Sequence, residues 1–444
     1  MTSHLGIESA HVSKGEASGV NEPAPLEWNE IVGSEELVGN LNDKLRLKIN
    51  ASSTAKSENN LTQSVSAFVE QVLSDAPLNK MILAPVLNNL YQQQFKLYTE
   101  TNIPKPLRTR QYICGSGLIL SPDHCVSTIQ DSLRVGLFLR GVDKALRQLT
   151  NKKMTAPLHI VYPACGPFAP LLLPLLAYYK NNQLYSSAEI NVTFIDIQEG
   201  AVLALESLIN KLGLQEYVRD IHCIDACEYH TQNDVHLVIL EAMQHGFSRE
   251  GHLRLAKHYA ALLDDKGIFL PKQILVTASL NVAQCEYLDQ WGVDDPEQRK
   301  KMREKRKELG EVLRVDLDFL RSMQEKTLDE YTDLLECATL VIPPLKDHSD
   351  EQTLLFHTRI NVFDDDWLGE YESGITHPLP DSQVCVNFIP RDARPGDLLV
   401  NSGDSLTFYY CLNGLPGFLT TKSSVLSPTD EVNSLVEMNN DASN

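Results

Sequence analysis

The stretch "EINVTFIDIQEGAVLALESLINKLGLQEYVRDIHCIDA" (189–226) decides the fold class. It begins with a run of β-branched and apolar residues that is typical of a buried strand and ends at Asp196. Apolar residues then recur at helical spacing from Glu199, and Gly213 is of the residue type that commonly ends a helix. A second strand pattern follows, up to Asp225. A strand, a helix and a strand in this order predict two parallel strands of one sheet.

The segments on both sides repeat this alternation. The expected strands are residues 158–162, 189–196, 218–225, 234–241 and 267–280, the expected helices between them are residues 168–180, 199–214 and 252–264, and one further helix is expected at residues 123–149. We therefore predict a doubly wound α/β unit, a Rossmann-like domain of residues 151–280.

The two ends and the region before this unit have different patterns. Residues 1–58 are polar with little periodicity and are predicted to be a flexible segment, as is the polar tail 427–444. Residues 59–150 space apolar residues at three and four, which predicts an N-terminal helical region. Pro77 and Pro85 are expected to divide its first helices, because each removes a backbone donor.

The chain changes character after Leu280. Residues 294–331 are highly charged, with Glu–Lys spacing that predicts a long helix with one solvated face. From Ala338 onward, short β-patterned runs return. They predict a small antiparallel barrel or sandwich, so that residues 281–426 form a β-barrel-like domain.

The composition argues against several classes of protein. The 444 residues carry a formal charge of −20 and a pI near 5.1, which argues against nucleic acid as a main partner because phosphate binding needs clustered basic residues. Nine cysteines without a CxxC pair predict free thiols in a reducing compartment and no metal site. The first residues show no apolar signal segment, and five prolines interrupt the uncharged stretch 154–179. We therefore expect a cytoplasmic protein without a membrane span.

The expected ligand site lies at the carboxyl ends of the strands, where open parallel sheets bind their ligands. Asp196 ends the second strand, and a carboxylate there can accept from both hydroxyls of a ribose. Asp225, beside the small Ala226, could accept from an adenine amino group. The first strand runs into Ala164 and Gly166, small residues that permit close approach of a ligand to the backbone.

These residues would serve either a dinucleotide or S-adenosylmethionine. A pyrophosphate needs a Gly-rich turn at a helix N-terminus, and "ACGPFA" (164–169) has a single glycine and no GxGxxG. The methyl donor carries no phosphate, so the pattern favours it. The plain alternative is that the strand-end acids serve only solubility.

Several motifs in chain order resemble the class I S-adenosylmethionine-dependent methyltransferases, and more narrowly the protein arginine methyltransferase family. The similar segments are "DSLR" (131–134) in the helix before the first strand, "FIDIQEG" (194–200) at the ribose acid, "CIDA" (223–226) at the adenine position, "LEAMQHGFSRE" (240–250) at the family's double-glutamate loop and "KGIFLP" (266–271) at the strand that leads into a β-barrel.

The resemblance implies a cofactor, an assembly and roles for residues. It implies S-adenosylmethionine, with Arg134 on the methionine carboxylate, Asp196 on the ribose and Asp225 at the adenine. It also implies a helical arm at about 286–335 that grips a second subunit and makes a homodimer. The resemblance covers about 125–415 of the chain.

Glu241 and Glu250 are the candidate catalytic residues. Two carboxylates can bind a planar guanidinium as a fork and leave one nitrogen free to attack the sulfonium methyl. The alternative is a strand-end acid and an unrelated acid at a helix N-terminus, where the helix dipole favours it. His377, in "ITHPL" (375–379), partly matches the family's Thr–His–Trp loop and is expected to assist catalysis; His245 is a further candidate.

The chain departs from the family pattern at several places. Tyr162, in the reduced Gly-rich loop, stands where the family usually has an acid. Pro378 stands where the family has tryptophan, additional N-terminal helices are expected, and "QYICGSGLILS" (111–121) does not show the family's aromatic helix. These last three departures indicate a changed substrate entrance, so we expect N-methylation of free arginine or a small arginine-containing metabolite, with protein arginine as the alternative. A methyltransferase for small amines or hydroxyls and a non-catalytic scaffold also stay open.

Overall fold

The computed structural model describes residues 61–152, 157–282, 286, 296–345, 352–387 and 394–423. These residues belong to one compact unit, 59–444. The predicted flexible segments 1–58 and 427–444 lie outside the described residues, and the proposed domain boundaries stay predictions.

The helices and strands follow one another along the chain as expected for an α/β unit between a helical region and a β-rich region. The helices are α1 (Leu61–Leu73), α2 (Lys80–Glu100), α3 (Lys105–Thr109), α4 (Pro122–Thr128), α5 (Ser132–Asn151), α6 (Leu173–Asn181), α7 (Glu199–Leu212), α8 (His252–Leu262), α9 (Pro296–Arg303) and α10 (Leu317–Ser322). The strands of the first half are β1 (Tyr112–Ile113), β2 (Leu118–Ile119), β3 (Leu158–Pro163), β4 (Ile190–Asp196), β5 (Val218–Cys223), β6 (Val235–Ile239) and β7 (Leu263–Leu270). The strands of the second half are β8 (Gln273–Asn281), β9 (Lys307–Asp316), β10 (Lys326–Asp329), β11 (Thr332–Val341), β12 (Thr353–Phe363), β13 (Asp366–Leu368), β14 (Leu379–Val386), β15 (Leu398–Val400), β16 (Ser405–Cys411) and β17 (Gly417–Ser423).

The central sheet is parallel and has the strand order β5-β4-β3-β6-β7. The strands β3 and β6 are buried at every position, which explains their nearly continuous apolar sequences. Strand order reverses between β3 and β6, and this is the switch point at which open α/β sheets bind ligands. The expected Rossmann-like unit is confirmed.

The N-terminal helices are confirmed, with one correction. The apolar face of α1 is buried, and Arg140 of α5 donates to the carbonyl of Val72 at its end. Pro85 does not divide the helices, because it lies inside α2. It removes one backbone hydrogen bond, and the burial of Leu83 and Leu87 on either side outweighs that loss.

Three other boundaries differ from the predictions. The helix expected at 123–149 is divided into α4 and α5 by a break before Ser132, and α6 begins at Leu173 instead of residue 168. The strand expected at 267–280 is two strands, β7 and β8, which are divided at Pro271 and belong to different sheets.

The second half of the chain forms two sheets, β15-β14-β12-β8-β9 with β13 beside β12, and β10-β11-β16-β17. Except for the parallel β14–β15 pair, neighbouring strands are antiparallel. Phe356 of one sheet packs on Phe408 and Phe418 of the other, with ring centroids 5.8 and 4.6 Å away. The expected barrel or sandwich is confirmed.

The single long helix predicted at 294–331 is wrong, whereas the helical arm at about 286–335 stays a prediction. Of residues 286–335 that the structure describes, only the short α9 and α10 are α-helical, and β9 and β10 take most of the remainder. β9 pairs with β8 and buries Val312, Leu313 and Val315. This burial decides the conformation, since helix propensity on a charged segment is only a weak preference.

Candidate active site

The candidate site lies where β3, β4, β5 and β6 end, at the switch point of the sheet. The loops after these strands carry the predicted residues, so the topology alone gathers them at one edge. The start of α5, the β1–β2 hairpin and the loop 369–377 complete its surroundings.

Asp196 and the loop after β3 are in direct contact. One carboxylate oxygen of Asp196 accepts from the backbone N–H of Gly166 at 2.9 Å, and the other accepts from the N–H of Gln198 at 2.8 Å. Burial raises the pKa of Asp196 to about 6. Ala164 and Gly166 both have positive φ, at 50° and 66°, which turns the loop back over the strand ends.

Asp225 and Ala226 lie at the end of β5, the strand next to β4. The carboxylate of Asp225 accepts from the N–H of Cys227 at 2.9 Å and so caps the short 3₁₀ turn that begins at Ala226. Burial, with the charges of Asp225 and Asp196 as smaller contributions, raises the pKa of Tyr112. This tyrosine of the hairpin therefore lies near both acids, and no sequence pattern indicated that position.

Arg134 and Glu241 form a buried ion pair. Arg134 Nη1 donates to Glu241 Oε2 at 2.7 Å, and Nη2 donates to the carbonyl of Thr128 at 2.7 Å. Arg134 Nε lies 3.8 Å from Asp131 and hydrogen-bonds to no described residue. The side chains of Arg134 and Glu241 are 9% and 10% exposed. The residue predicted to bind the cofactor thus contacts a residue predicted to bind the substrate.

Glu250 interacts with Glu241 across the loop that separates them in sequence. Burial raises the pKa of Glu250 to about 8, and repulsion by Glu241 adds to this shift, while a hydrogen bond from Gln244 opposes it. Burial also raises the pKa of Glu241, against the charge of Arg134. Two acids that repel each other in a buried site form a receptor for a cation.

Cys125 of α4 connects the two groups of residues. Its pKa is raised well above the ordinary value by burial, with further contributions from Asp196, Glu250 and Glu241. Its Cβ lies 4.0 Å from the position that a Cβ on Gly166 would take. Glu241, Glu250 and Asp196 therefore all lie near Cys125 and share one environment.

The hairpin that joins β1 and β2 is held at both ends by residues of the site. Gln198 Nε2 donates to the carbonyls that flank the hairpin, those of Arg110 at 2.7 Å and Leu120 at 2.9 Å. At the other end, Leu118 N donates to the carbonyl of Arg249 at 2.8 Å. The hairpin thus connects Gln198, whose backbone N–H bonds to Asp196, to the loop between Glu241 and Glu250.

His377 is buried behind the site. It follows the 3₁₀ turn Gly374–Thr376, and its ring packs edge-on against Tyr371 with centroids 5.2 Å apart. The turn is fixed to Asp131, which accepts from Ser373 Oγ and from Gly374 N. Asp131 was part of the quoted "DSLR" motif, but its role as the anchor of this turn was not predicted.

Two further predictions concern His245 and metals. Burial lowers the pKa of His245, which favours its neutral form. Among the described residues, no group of three or more His, Cys, Asp or Glu side chains could hold a metal ion. No described helix is long and apolar enough to cross a membrane.

Comparison with known proteins finds similarity in structure only. No family model matches this chain, and no curated protein does. The chain is similar to the PRMT1 enzyme–prozyme heterotetrameric complex with AdoHcy from Trypanosoma brucei, at 14% identity and a TM-score of 0.39, over 68% of this chain and 94% of that chain. It is also similar to protein arginine methyltransferase 10 of Arabidopsis thaliana in an open conformation, at 11% identity and a TM-score of 0.40, over 65% of this chain and 87% of that chain.

Proposed function

We propose that this chain is an S-adenosylmethionine-dependent N-methyltransferase that acts on the guanidino group of arginine. The observation that supports it best is the pair of buried acids, Glu241 and Glu250, in one environment with Arg134 and Asp196 at the carboxyl edge of a parallel sheet. A buried pair of like charges is costly unless a cation joins it. A guanidinium supplies that cation with matching planar geometry.

The chain has groups that fit S-adenosylmethionine. Arg134 Nε is a buried donor with no hydrogen-bond partner among the described residues, and it would donate to the carboxylate of the methionine part. Each oxygen of Asp196 accepts a single backbone bond and keeps capacity for a ribose hydroxyl. Asp225 and Ala226 would face the adenine. The cofactor supplies an electrophilic methyl group on a sulfonium.

The two glutamates would orient and polarise the substrate. Glu241 accepts from Arg134 and from the backbone N–H of Met243, and its carboxylate keeps acceptor capacity for an N–H of the substrate guanidinium. Glu250 would take a second N–H, and the bound cation would lower its pKa from the raised value near 8. The remaining nitrogen would attack the methyl in line. The proton it loses would pass to Glu250, and His377, which lies behind the turn, would help to hold the loop in place.

The finer assignments are part of the same proposal. We favour free arginine or a small arginine-containing metabolite over protein arginine, because the substrate loop has Pro378 where the resembled family has tryptophan. A homodimer in the cytoplasm completes the proposal, and the resemblance implies it through the arm at about 286–335. Sedimentation velocity at several protein concentrations tests the dimer.

One experiment tests the proposed function. Isotopically labelled S-adenosylmethionine is incubated with the protein and with free arginine, arginine peptides and basic proteins, and mass spectrometry locates the label. Methylation of a guanidino nitrogen that Glu250→Gln abolishes supports the proposal. Label on an amine or hydroxyl that survives Glu250→Gln supports the small-molecule methyltransferase instead. A calorimetric titration without saturable binding, unchanged by Arg134→Ala or Asp196→Ala, supports the scaffold.

A further inference from the structure

We infer that the buried pair Arg306 and Tyr371 positions the turn 373–376 on Asp131, and thereby keeps Arg134 available to a ligand. The inference rests on the proposed function only in naming that ligand as S-adenosylmethionine. It makes Arg306 a positioning residue, although its own contacts lie in the β-rich half of the chain.

Arg306 is completely enclosed by polar partners. Its side chain is 4% exposed, it forms a two-point ion pair with Glu286, and its Nη1 lies 2.7 Å from Glu370. Its Nη2 also donates to the hydroxyl of Tyr371 at 2.9 Å. Although burial favours the protonated acid, His357, whose Nδ1 lies 3.5 Å from Glu370 Oε2, and the charge of Arg306 lower the pKa of Glu370 to about 2. Glu370 is therefore charged at neutral pH.

Tyr371 connects this cluster to the site. Its hydroxyl is held by Arg306 and Glu286, its ring packs on His377, and its backbone N–H donates to the carbonyl of Thr376 at 3.3 Å. The φ angle of Tyr371 is 63°, which is a strained value for a bulky side chain. Such strain costs about 1–3 kcal/mol and persists only where surrounding contacts hold it. The bonds to the hydroxyl are those contacts.

The turn 373–376, which follows Tyr371, hydrogen-bonds to Asp131. Ser373 Oγ and Gly374 N both donate to Asp131 Oδ2, the oxygen that lies 3.8 Å from Arg134 Nε. While these two donors hold the carboxylate, it does not hydrogen-bond to Arg134. If the turn is released, Asp131 can rotate onto the free Nε of Arg134. The carboxylate of a ligand would then compete with Asp131 for the same donor.

Affinity for S-adenosylmethionine, measured by calorimetry, tests this inference without relying on catalysis. We expect Tyr371→Phe and Ser373→Ala each to weaken binding about fivefold to tenfold, the effect of one or two lost hydrogen bonds. Tyr331→Phe and Arg303→Lys change the same residue types at exposed positions and should leave the affinity unchanged. Arg306→Lys keeps the buried positive charge. It therefore tests the role of Arg306 even if a variant that lacks this charge does not fold.

A second substitution separates positioning from general structural damage. In an Asp131→Asn background the carboxylate that competes for Arg134 is gone, whereas the amide oxygen can still accept from the turn. There, Tyr371→Phe and Ser373→Ala should no longer weaken binding. If both still weaken it by the same factor, or if neither weakens it in the natural background, the inference is wrong.

Hydrogen exchange gives an outcome that is independent of the cofactor. The amides of residues 369–377 should exchange faster in Tyr371→Phe than in the natural protein, and at the natural rate in Tyr331→Phe. Unchanged exchange in Tyr371→Phe overturns the inference. If the natural protein binds no S-adenosylmethionine, the proposed function fails, and the exchange result still decides whether Arg306 and Tyr371 hold the turn.

Discussion

Arg134 Nη1 donates to Glu241 Oε2 across 2.7 Å, and this bond joins the residue proposed to bind the cofactor to a residue proposed to bind the substrate. Arg134 compensates the charge of Glu241. Glu250 lacks such a cationic partner at hydrogen-bonding distance among the described residues, and burial together with repulsion by Glu241 raises its pKa to about 8. Glu250 is therefore largely protonated at neutral pH.

Arg134→Lys should reduce the affinity for S-adenosylmethionine about tenfold or more, because an ammonium cannot reproduce the planar set of donors. Arg134→Ala should also lower the free energy of unfolding by about 3–5 kcal/mol, since it leaves Glu241 buried without its cation. Calorimetry and urea unfolding measure these two effects. Arg147→Lys on the same helix is the control, because that side chain is 61% exposed. Equal effects of the two lysine variants would contradict the role given to Arg134.

Glu250→Gln should abolish methyl transfer and at the same time stabilise the fold at alkaline pH. The folded-state pKa of Glu250 is about 8, against an ordinary value of 4.5, so the folded state binds more protons and its stability falls as pH rises through this interval. A glutamine removes that loss, and we expect the free energy of unfolding at pH 8.5 to rise by about 1–3 kcal/mol.

Thermal unfolding and methyl-transfer assays between pH 5 and 9 measure both consequences, with the exposed Glu206→Gln as the control. A variant that is inactive but no more stable than the natural protein above pH 8 would contradict the raised pKa. In the natural protein, arginine affinity should increase with pH up to this pKa, because binding requires the ionised acid.

Gly251→Ala should impair the site far more than Gly115→Ala. A Cβ on Gly251 would lie 2.4 Å from the carbonyl oxygen of Ser116, whereas a Cβ on Gly115 would meet nothing within 4 Å. The first variant must displace the hairpin from the glutamate loop, at a cost of about 1–3 kcal/mol. We expect it to lower both stability and catalytic rate. Equal rates for the two variants would show that the hairpin does not support the loop.

His252→Asn should make the free energy of unfolding depend less steeply on pH under acid conditions. Burial lowers the folded-state pKa of His252 to about 3 from an ordinary 6.5, so the unfolded state binds more protons and stability falls as pH drops through this interval. Removing one such group should reduce the slope by up to about 1.4 kcal/mol per pH unit. Urea unfolding at pH 4, 5 and 6 measures the slope. An unchanged slope would mean that His252 is accessible to protons in the folded state.

The α/β unit was predictable because its signals are local and periodic. Residues 158–162 and 235–240 are nearly continuous apolar runs, which are typical of buried strands, and Gly213 takes the left-handed conformation that ends α7 as expected. The segment 294–331 was misassigned because its charged residues favour a helix locally, whereas β9 is stabilised by pairing with β8, more than twenty residues away in the chain.

The order of residues along the chain was enough to identify those at the strand ends, among them Asp196, Asp225 and Glu241, since a parallel sheet brings the carboxyl ends of its strands to one edge. The contacts of the site became known only from the fold: Arg134 pairs with Glu241, Gln198 donates to the β1–β2 hairpin, and Arg306 supports the turn at Asp131. Strand and helix patterns depend on neighbours a few residues apart. Ion pairs and buried hydrogen bonds depend on distances between segments that the chain brings together only on folding, so sequence periodicity carries no record of them.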